Sequence, residues 1–372
     1  MHFAFTDEQE DLRRTVRAFF DKTSSEPELR RLMDSPEGHD PGVWQRMGSE
    51  IGVQGLMVPE EFGGAGCGMV ELGVVMEEAG RALLCAPLLS SAVMATTALL
   101  RCEDPDARKR LLPRLAAGET VATFALTEDT ARWDEEGVRL AAREDADGGW
   151  RLFGHKNFVL DGAVADVVLT VARTPDGIGL FCVEGDAPGL VREALPTLDP
   201  TRRQARLEYR EVPATRVRIP GNGWDLVSEV LDRTAAALAA EQVGVAERAL
   251  DMAVEYAKTR HQFGRAIGSF QAVKHLLADV LLEVESARAA AYFALLSADG
   301  GGDYLPNVAG LAKAFCSDAA VLAASENIQV HGGIGFTWEH TAHLYLKRAK
   351  TSQLLLGDSA HHRELLAQRI GV

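Results

Sequence analysis

The chain has few cysteines, and none are spaced as a pair. Its 5 cysteines, Cys67, Cys85, Cys102, Cys182 and Cys316, lie far apart with no CxxC spacing. An odd, scattered set reads as reduced thiols, which excludes a disulfide frame and a zinc site. Aromatic residues are scarce at 6%; with alanine and leucine abundant, helices packed on helices are favoured over extensive sheet. Basic charge is short too: 39 Lys and Arg against 54 Asp and Glu leave a formal net charge of −15. That balance excludes a broad nucleic-acid surface but leaves room for a local basic pocket holding one phosphorylated ligand. No uncharged apolar run reaches the roughly 18 residues needed to span a bilayer. The opening MHFAFTDEQEDLRR lacks the basic-then-apolar order of a signal peptide. These absences point to a soluble, cytoplasmic protein without a membrane span.

Three zones are present in the 372 residues. Residues 1–118 read as an N-terminal helical domain: Thr6 is placed as an N-cap ahead of acidic residues, and Leu12, Val16, Phe19 and Phe20 recur at helical spacing. Within it, Val58-Pro59-Glu60-Glu61-Phe62-Gly63-Gly64 must be a loop. Residues 119–223 change to short apolar runs, at Val121–Leu126, Trp150–Leu160, Val167–Val171 and Ile178–Val183, separated by Gly/Pro turns. Such runs read as strands of a compact antiparallel sandwich or barrel. Residues 224–372 are helical again. Val227, Leu231, Thr234, Leu238, Val245, Ala249 and Met252 mark one long stripe. Further helices are expected over Phe270–Leu296 and Asn307–Val330, and after Gly332–Gly335, with a glycine-rich loop at Asp299–Asp303. The architecture expected is mainly α with a central β domain, closing in a four-helix bundle.

Two segments of the last zone are distinctive. One is Tyr256-Ala257-Lys258-Thr259-Arg260-His261-Gln262-Phe263-Gly264-Arg265 with Phe270 and Gln271; the other is Gln329-Val330-His331-Gly332-Gly333-Ile334-Gly335. Arg260 sits where a helix gives way to a glycine turn and is suited to a pyrophosphate. Gly332-Gly333 lets backbone approach a ligand without a Cβ. Together with Val58–Gly64 and Leu126-Thr127-Glu128, these segments resemble the acyl-CoA dehydrogenase family in order and spacing, over nearly the whole chain.

That resemblance implies the family's fold, its FAD cofactor and α,β-dehydrogenation of an acyl-CoA thioester, with electrons leaving to an electron-transfer flavoprotein. It implies FAD contacts from Thr127, Phe158, Arg260, Gln262, Phe263, Phe270, Gln271, Gln329, Val330, Gly332 and Gly333, several of them toward a neighbouring subunit of a homo- or heterotetramer. It also assigns the Leu356 N–H as donor to the developing enolate.

The chain departs from the family at the proton-abstracting base. Where most members carry Glu before the glycine of Leu354-Leu355-Leu356-Gly357, this chain has Leu356; at the alternative helix position it has Thr234. Glu241, two turns beyond Thr234 on the same helix face, is the remaining candidate base, against a structural ion pair with Arg248. Asp358 is a second candidate, against a turn or cap role. In the middle zone, Thr130-Ala131-Arg132-Trp133 lacks the family's hydroxyl after Gly, and Leu160 cannot hydrogen-bond a flavin. Three readings follow: a dehydrogenase using Glu241, a non-catalytic partner completing another subunit's FAD site, or a flavin oxidase or monooxygenase on the same fold.

Overall fold

A computed structural model describes residues 5–300 and 304–372. Its first helix, α1 (Asp7–Thr23), starts on a capping box: the Thr6 hydroxyl accepts from the Gln9 N–H while the Gln9 side chain returns to the Thr6 N–H. Short helices α2 (Glu26–Asp34) and α3 (Pro41–Arg46) follow, then the Val58–Gly66 loop and α4 (Met69–Arg81). A π-helical stretch over Leu88–Ala95 leads to α5 (Thr96–Arg101) and α6 (Pro105–Ala116).

The central strands are β1 (Ala122–Ala125), β2 (Ala141–Glu144), β3 (Trp150–Leu160), β4 (Val167–Thr174), β5 (Gly177–Glu184), β6 (Leu190–Ala194) and β7 (Gln204–Val217). Pairing runs β4-β2-β3-β7-β5 and back to β4, so five strands close a ring while β1 joins β4 and β6 joins β7. Closure removes the open edges that an isolated sheet would expose. The sheet is not wholly antiparallel: β1–β4 and β2–β4 are parallel.

The C-terminal helices are α7 (Gly223–Thr259), α8 (Gln271–Asp299), α9 (Leu305–His331), α10 (Ala342–Leu354) and α11 (Ser359–Ile370), with a β8–β9 hairpin (His261–Gln262, Arg265–Ala266) between α7 and α8. The helical segment expected after the Gly332 turn is thus two helices, broken at 355–358. The glycine-rich loop expected after α8 extends into residues 301–303, which lie outside the described residues.

Two compact units emerge. One runs through Arg31 and adds Met69–Leu84 and Ala235–Val372; the other takes in Leu32–Gly68 and Cys85–Thr234. In the first, α9 packs against α8, α10 and α11. The stretch Leu305–Phe336 is apolar enough to pass for a membrane span by length and composition, with mean hydropathy 1.4, yet much of it is buried in this bundle. α4 presses on α7 through glycines: a Cβ at Gly80 would strike the Glu241 carbonyl, and one at Gly244 the Glu77 carbonyl. In the second unit the core is the ring interior, with Leu152, Leu169, Val171, Phe181 and Leu207 all buried.

Candidate active site

The first unit brings the two distinctive segments together. Tyr256, one turn before Arg260, stacks on His331, the residue before Gly332, at 4.3 Å between ring centroids. Buried His331 is held by its own Nδ1 against the Asn327 carbonyl at 2.8 Å, and burial pulls its pKa down. The C-terminus of α7 and the C-terminus of α9 are therefore pinned to each other.

Beyond these ends the chain is open. Arg260 and Gln262 are exposed, and among the described residues no carboxylate pairs with the Arg260 guanidinium. In the β8–β9 hairpin the two turn residues, Phe263 and Gly264, have φ of 54° and 78°. Both are positive, as in a type I′ turn. Glycine accepts that conformation freely, whereas phenylalanine pays on the order of 1 kcal/mol or more. The strained turn thrusts Phe263 outward at 91% exposure. Phe270 sits behind it, edge-on at 6.1 Å, with the Arg265 guanidinium 4.0 Å above its ring; Gln271 opens α8 and is exposed. At the other segment Gln329 is exposed and Val330 half-buried. Gly332 adopts φ 64°, ψ −140°, a region open essentially to glycine alone. A Cβ at Gly332 or Gly333 would meet nothing of this chain within 4 Å. An open backbone face, an uncommitted guanidinium and a projecting aromatic ring fit a phosphate-bearing aromatic cofactor lying across this end.

The turn between α10 and α11 carries the second feature of this unit. Leu356 and Gly357 are both left-handed, with φ of 64° and 98°. Leu355 N–H bonds to the Thr351 carbonyl and Gly357 N–H to the Leu354 carbonyl. Among the described residues the Leu356 N–H meets no acceptor, so a donor is left where the enolate donor was expected. The Leu356 side chain is buried and apolar and has no atom that takes a proton.

None of the alternative bases stands free. Thr234, fully buried, donates its hydroxyl to the Val230 carbonyl one turn back at 2.6 Å. Asp358 caps α11, accepting from the His361 N–H at 2.8 Å. Glu241 is buried against Arg348 at 3.0 Å, both side chains 3% exposed. Arg348 also donates to the Leu84 carbonyl. The ion-pair partner is thus Arg348 of α10 and not the Arg248 expected from helix spacing. Arg248 reaches Glu255 at 3.5 Å instead. Nothing local in the sequence marks Arg348, which lies 107 residues from Glu241.

The second unit holds Thr127 and Phe158 on adjacent segments. The Thr127 hydroxyl donates to the Asn157 carbonyl at 2.7 Å, and the Asn157 N–H returns to the Thr127 carbonyl at 2.8 Å. A buried lysine, missed by the sequence reading, ties this crossing down. Lys156 is fully buried and donates to the Leu126 carbonyl and to Glu128 Oε1, each at 2.8 Å. Burial pushes Lys156 down to about 8, against the pull of Glu128. Burial alone would raise Glu128, but the Lys156 ammonium and the Leu140 and Arg139 N–H groups hold it below the usual range. Next to this staple Phe158 takes a left-handed φ of 57° and is 37% exposed, a ring offered for stacking. Leu160 is buried, its carbonyl taken by the Thr123 hydroxyl.

Each unit thus carries residues suited to contact a flavin. The acyl-CoA dehydrogenase N-terminal, middle and C-terminal domain descriptions match residues 6–119, 123–212 and 221–371. Acyl-CoA dehydrogenase IpdE2 of Mycobacterium tuberculosis is 37% identical over 350 residues, 94% of this chain and 93% of its own. The chain belongs to the acyl-CoA dehydrogenase family. This acyl-CoA dehydrogenase is therefore an oxidoreductase, and FAD is the family's cofactor. Among solved structures, butyryl-CoA dehydrogenase of Megasphaera elsdenii superposes with a TM-score of 0.94 at 26% identity, covering all of both chains. A variant of the Tcur3481-Tcur3483 steroid ACAD gives 0.89 at 32%, covering 98% of each. The ChsE4-ChsE5 complex of Mycobacterium tuberculosis gives 0.91 at 28%, covering 100% of this chain and 99% of that one.

Proposed function

We propose that this chain is one subunit of a heteromeric, FAD-dependent enzyme that dehydrogenates an acyl-CoA thioester between its α and β carbons and passes the electrons to an electron-transfer flavoprotein. The observation that carries this reading is the Leu356 turn, which retains a free N–H donor and lacks a base. FAD supplies the acceptor for the β-hydride. Arg260, Gln262, Phe263, Phe270 and Gln271, with Gln329, Val330, Gly332 and Gly333, are the residues of the first unit that would contact it, and Thr127 and Phe158 those of the second. The Leu356 N–H donates to the thioester oxygen as enolate charge develops, where a fixed dipole is worth most.

The α-proton needs a carboxylate, and among the described residues none of the four candidate positions offers a free one. Thr234 and Leu356 have none, Asp358 is a cap, and Glu241 is engaged by Arg348. Protonating Glu241 would weaken a fully buried ion pair, which is costly. The base is therefore supplied by an unlike subunit. Two-component relatives support this: a steroid ACAD and the ChsE4-ChsE5 complex are each described by a pair of unlike names. The first of these also makes a steroid-derived acyl-CoA the substrate class to try first. Exposed Phe263, Ile334, Phe336 and Trp338 follow α7 and α9, the ends that hold FAD, and supply an apolar face for the partner. Five free cysteines suit the reducing cytoplasm. The test is to purify the chain alone and with copurifying partners from its host, then count FAD per chain. We expect sub-stoichiometric flavin alone and a full complement in a hetero-oligomer; a flavin-loaded homotetramer active on acyl-CoA overturns the reading.

A further inference from the structure

Leu356, a non-glycine residue, is strained at φ 64°, and its turn is braced from outside. The brace comes from α9. Lys313, fully buried, places Nζ 2.9 Å from the Ser317 hydroxyl, 3.2 Å from the Gln353 carbonyl and 3.4 Å from the Gly357 carbonyl. The amino group can donate to each of these acceptors in turn. The two carbonyls bracket Leu354-Leu355-Leu356, so a single side chain grips both ends of the turn. Ser317 is fixed in turn by Gln242 of α7, whose amide donates to it at 2.9 Å. A second grip lies one turn of α9 further on. Asp318 accepts from the Gln353 amide at 3.2 Å, the Ser359 hydroxyl at 2.7 Å and Arg363 at 2.6 Å.

These two grips differ in what they hold. Asp318 binds side chains around the turn and the start of α11, whereas Lys313 binds the backbone of the turn itself. Burying an ammonium is costly. A methionine of similar length would fill the same space at no such cost, so packing does not account for a lysine here. With the Gln353 and Gly357 carbonyls both drawn toward α9, the Leu356 N–H between them is left without an acceptor among the described residues.

We propose that Lys313 is a positioning residue. Its Nζ donates to the carbonyls of Gln353 and Gly357, holds them inward and so keeps the Leu356 N–H turned out toward the thioester oxygen. This rests on the reading of Leu356 as enolate donor given above. The step it serves involves no proton transfer from Lys313.

The test uses the FAD-loaded enzyme with its copurifying partner, and the carbonyl stretch of an isotope-labelled α,β-unsaturated octenoyl-CoA, labelled at the thioester carbonyl. In the wild type this band falls in frequency on binding, because the N–H polarises the carbonyl. Lys313→Met, with flavin content unchanged, loses most of that fall and about 100-fold in kcat with KM within a few-fold, the size expected for a donor misplaced by about 1 Å or lost. Lys313→Gln keeps amide donors but is too short to reach both carbonyls, so it lies between; it also carries the test if the methionine variant does not fold. A wild-type frequency fall in either variant overturns the positioning role. No fall in the wild type, whether for want of binding or of polarisation, defeats the Leu356 reading itself, which separates the two failures.

Discussion

Replacing Glu241 by glutamine separates a structural carboxylate from a base. Glu241 and Arg348 are 3.0 Å apart and both 3% exposed, so the guanidinium left behind has no route to water. Breaking a pair this deep costs about 3–5 kcal/mol. For 372 residues, unfolding entropy of roughly 2.1 cal/mol/K per residue gives about 0.8 kcal/mol/K, so the melting temperature should fall by about 4–6 °C. Removing both charges, as Glu241→Leu with Arg348→Met, should recover part of that loss, because the two apolar side chains carry no charge of their own. Loss of a general base would instead cost about 10²–10⁴-fold in rate. We expect acyl-CoA dehydrogenation by the assembled Glu241→Gln enzyme to stay within about threefold of wild type while its melting point drops. Differential scanning calorimetry and steady-state turnover on the same preparations decide it. An unchanged melting point with a hundredfold or greater loss of turnover would refute the structural account and return Glu241 to the role of base.

Three further outcomes follow from the geometry. Arg260→Gln removes an uncommitted guanidinium from the end of α7 proposed to face FAD; losing one charge-assisted contact of about 1.5–3 kcal/mol should weaken FAD by about 10- to 150-fold, measured by flavin release on dilution. Lys156 sits at about 8 in the fold against 10.5 when free. Between those values the unfolded chain holds the extra proton, so this group makes stability rise with pH, by on the order of 3 kcal/mol across the window. Urea midpoints from pH 8 to 10 should climb in the wild type relative to Lys156→Met, and parallel curves would contradict the buried-amine assignment. Leu356→Glu puts a carboxylate beside the free N–H, and should confer acyl-CoA-dependent flavin reduction on oligomers containing only this chain, provided they bind FAD; no gain in FAD-loaded oligomers would argue against the placement of that turn.

Much of the fold was legible because its signals are local. The Thr6 cap, the apolar stripe of α7 and the breaks around Gly332 are set by neighbours within a turn or two, and each is where the residues put it. The strands without a sequence signal are those with mixed or exposed patterns: β2 is only 4 residues and half exposed, β6 is exposed along nearly its whole length, and β7 alternates through 14 residues with few long apolar runs. The two parallel pairings of β4 follow from ring closure, which no single strand encodes. In the site, Arg260 and the glycines were readable from motif order, but Arg348 and Lys313 were not. Each acts across a tertiary distance, and a lysine or arginine in a helix reads as surface until its burial is known. The β8–β9 hairpin was hidden because Phe263 occupies a turn position that sequence rules reserve for Asn, Asp or Gly.

The central claim is that this chain holds FAD and a thioester oxygen but borrows its base. Anaerobic titration with saturated acyl-CoAs, steroid-derived and fatty, reads it directly through the flavin absorbance. We predict that the chain reconstituted alone with FAD stays oxidised throughout, and that the complex with its unlike partner bleaches. Bleaching of the lone chain at the rate of the complex would contradict it.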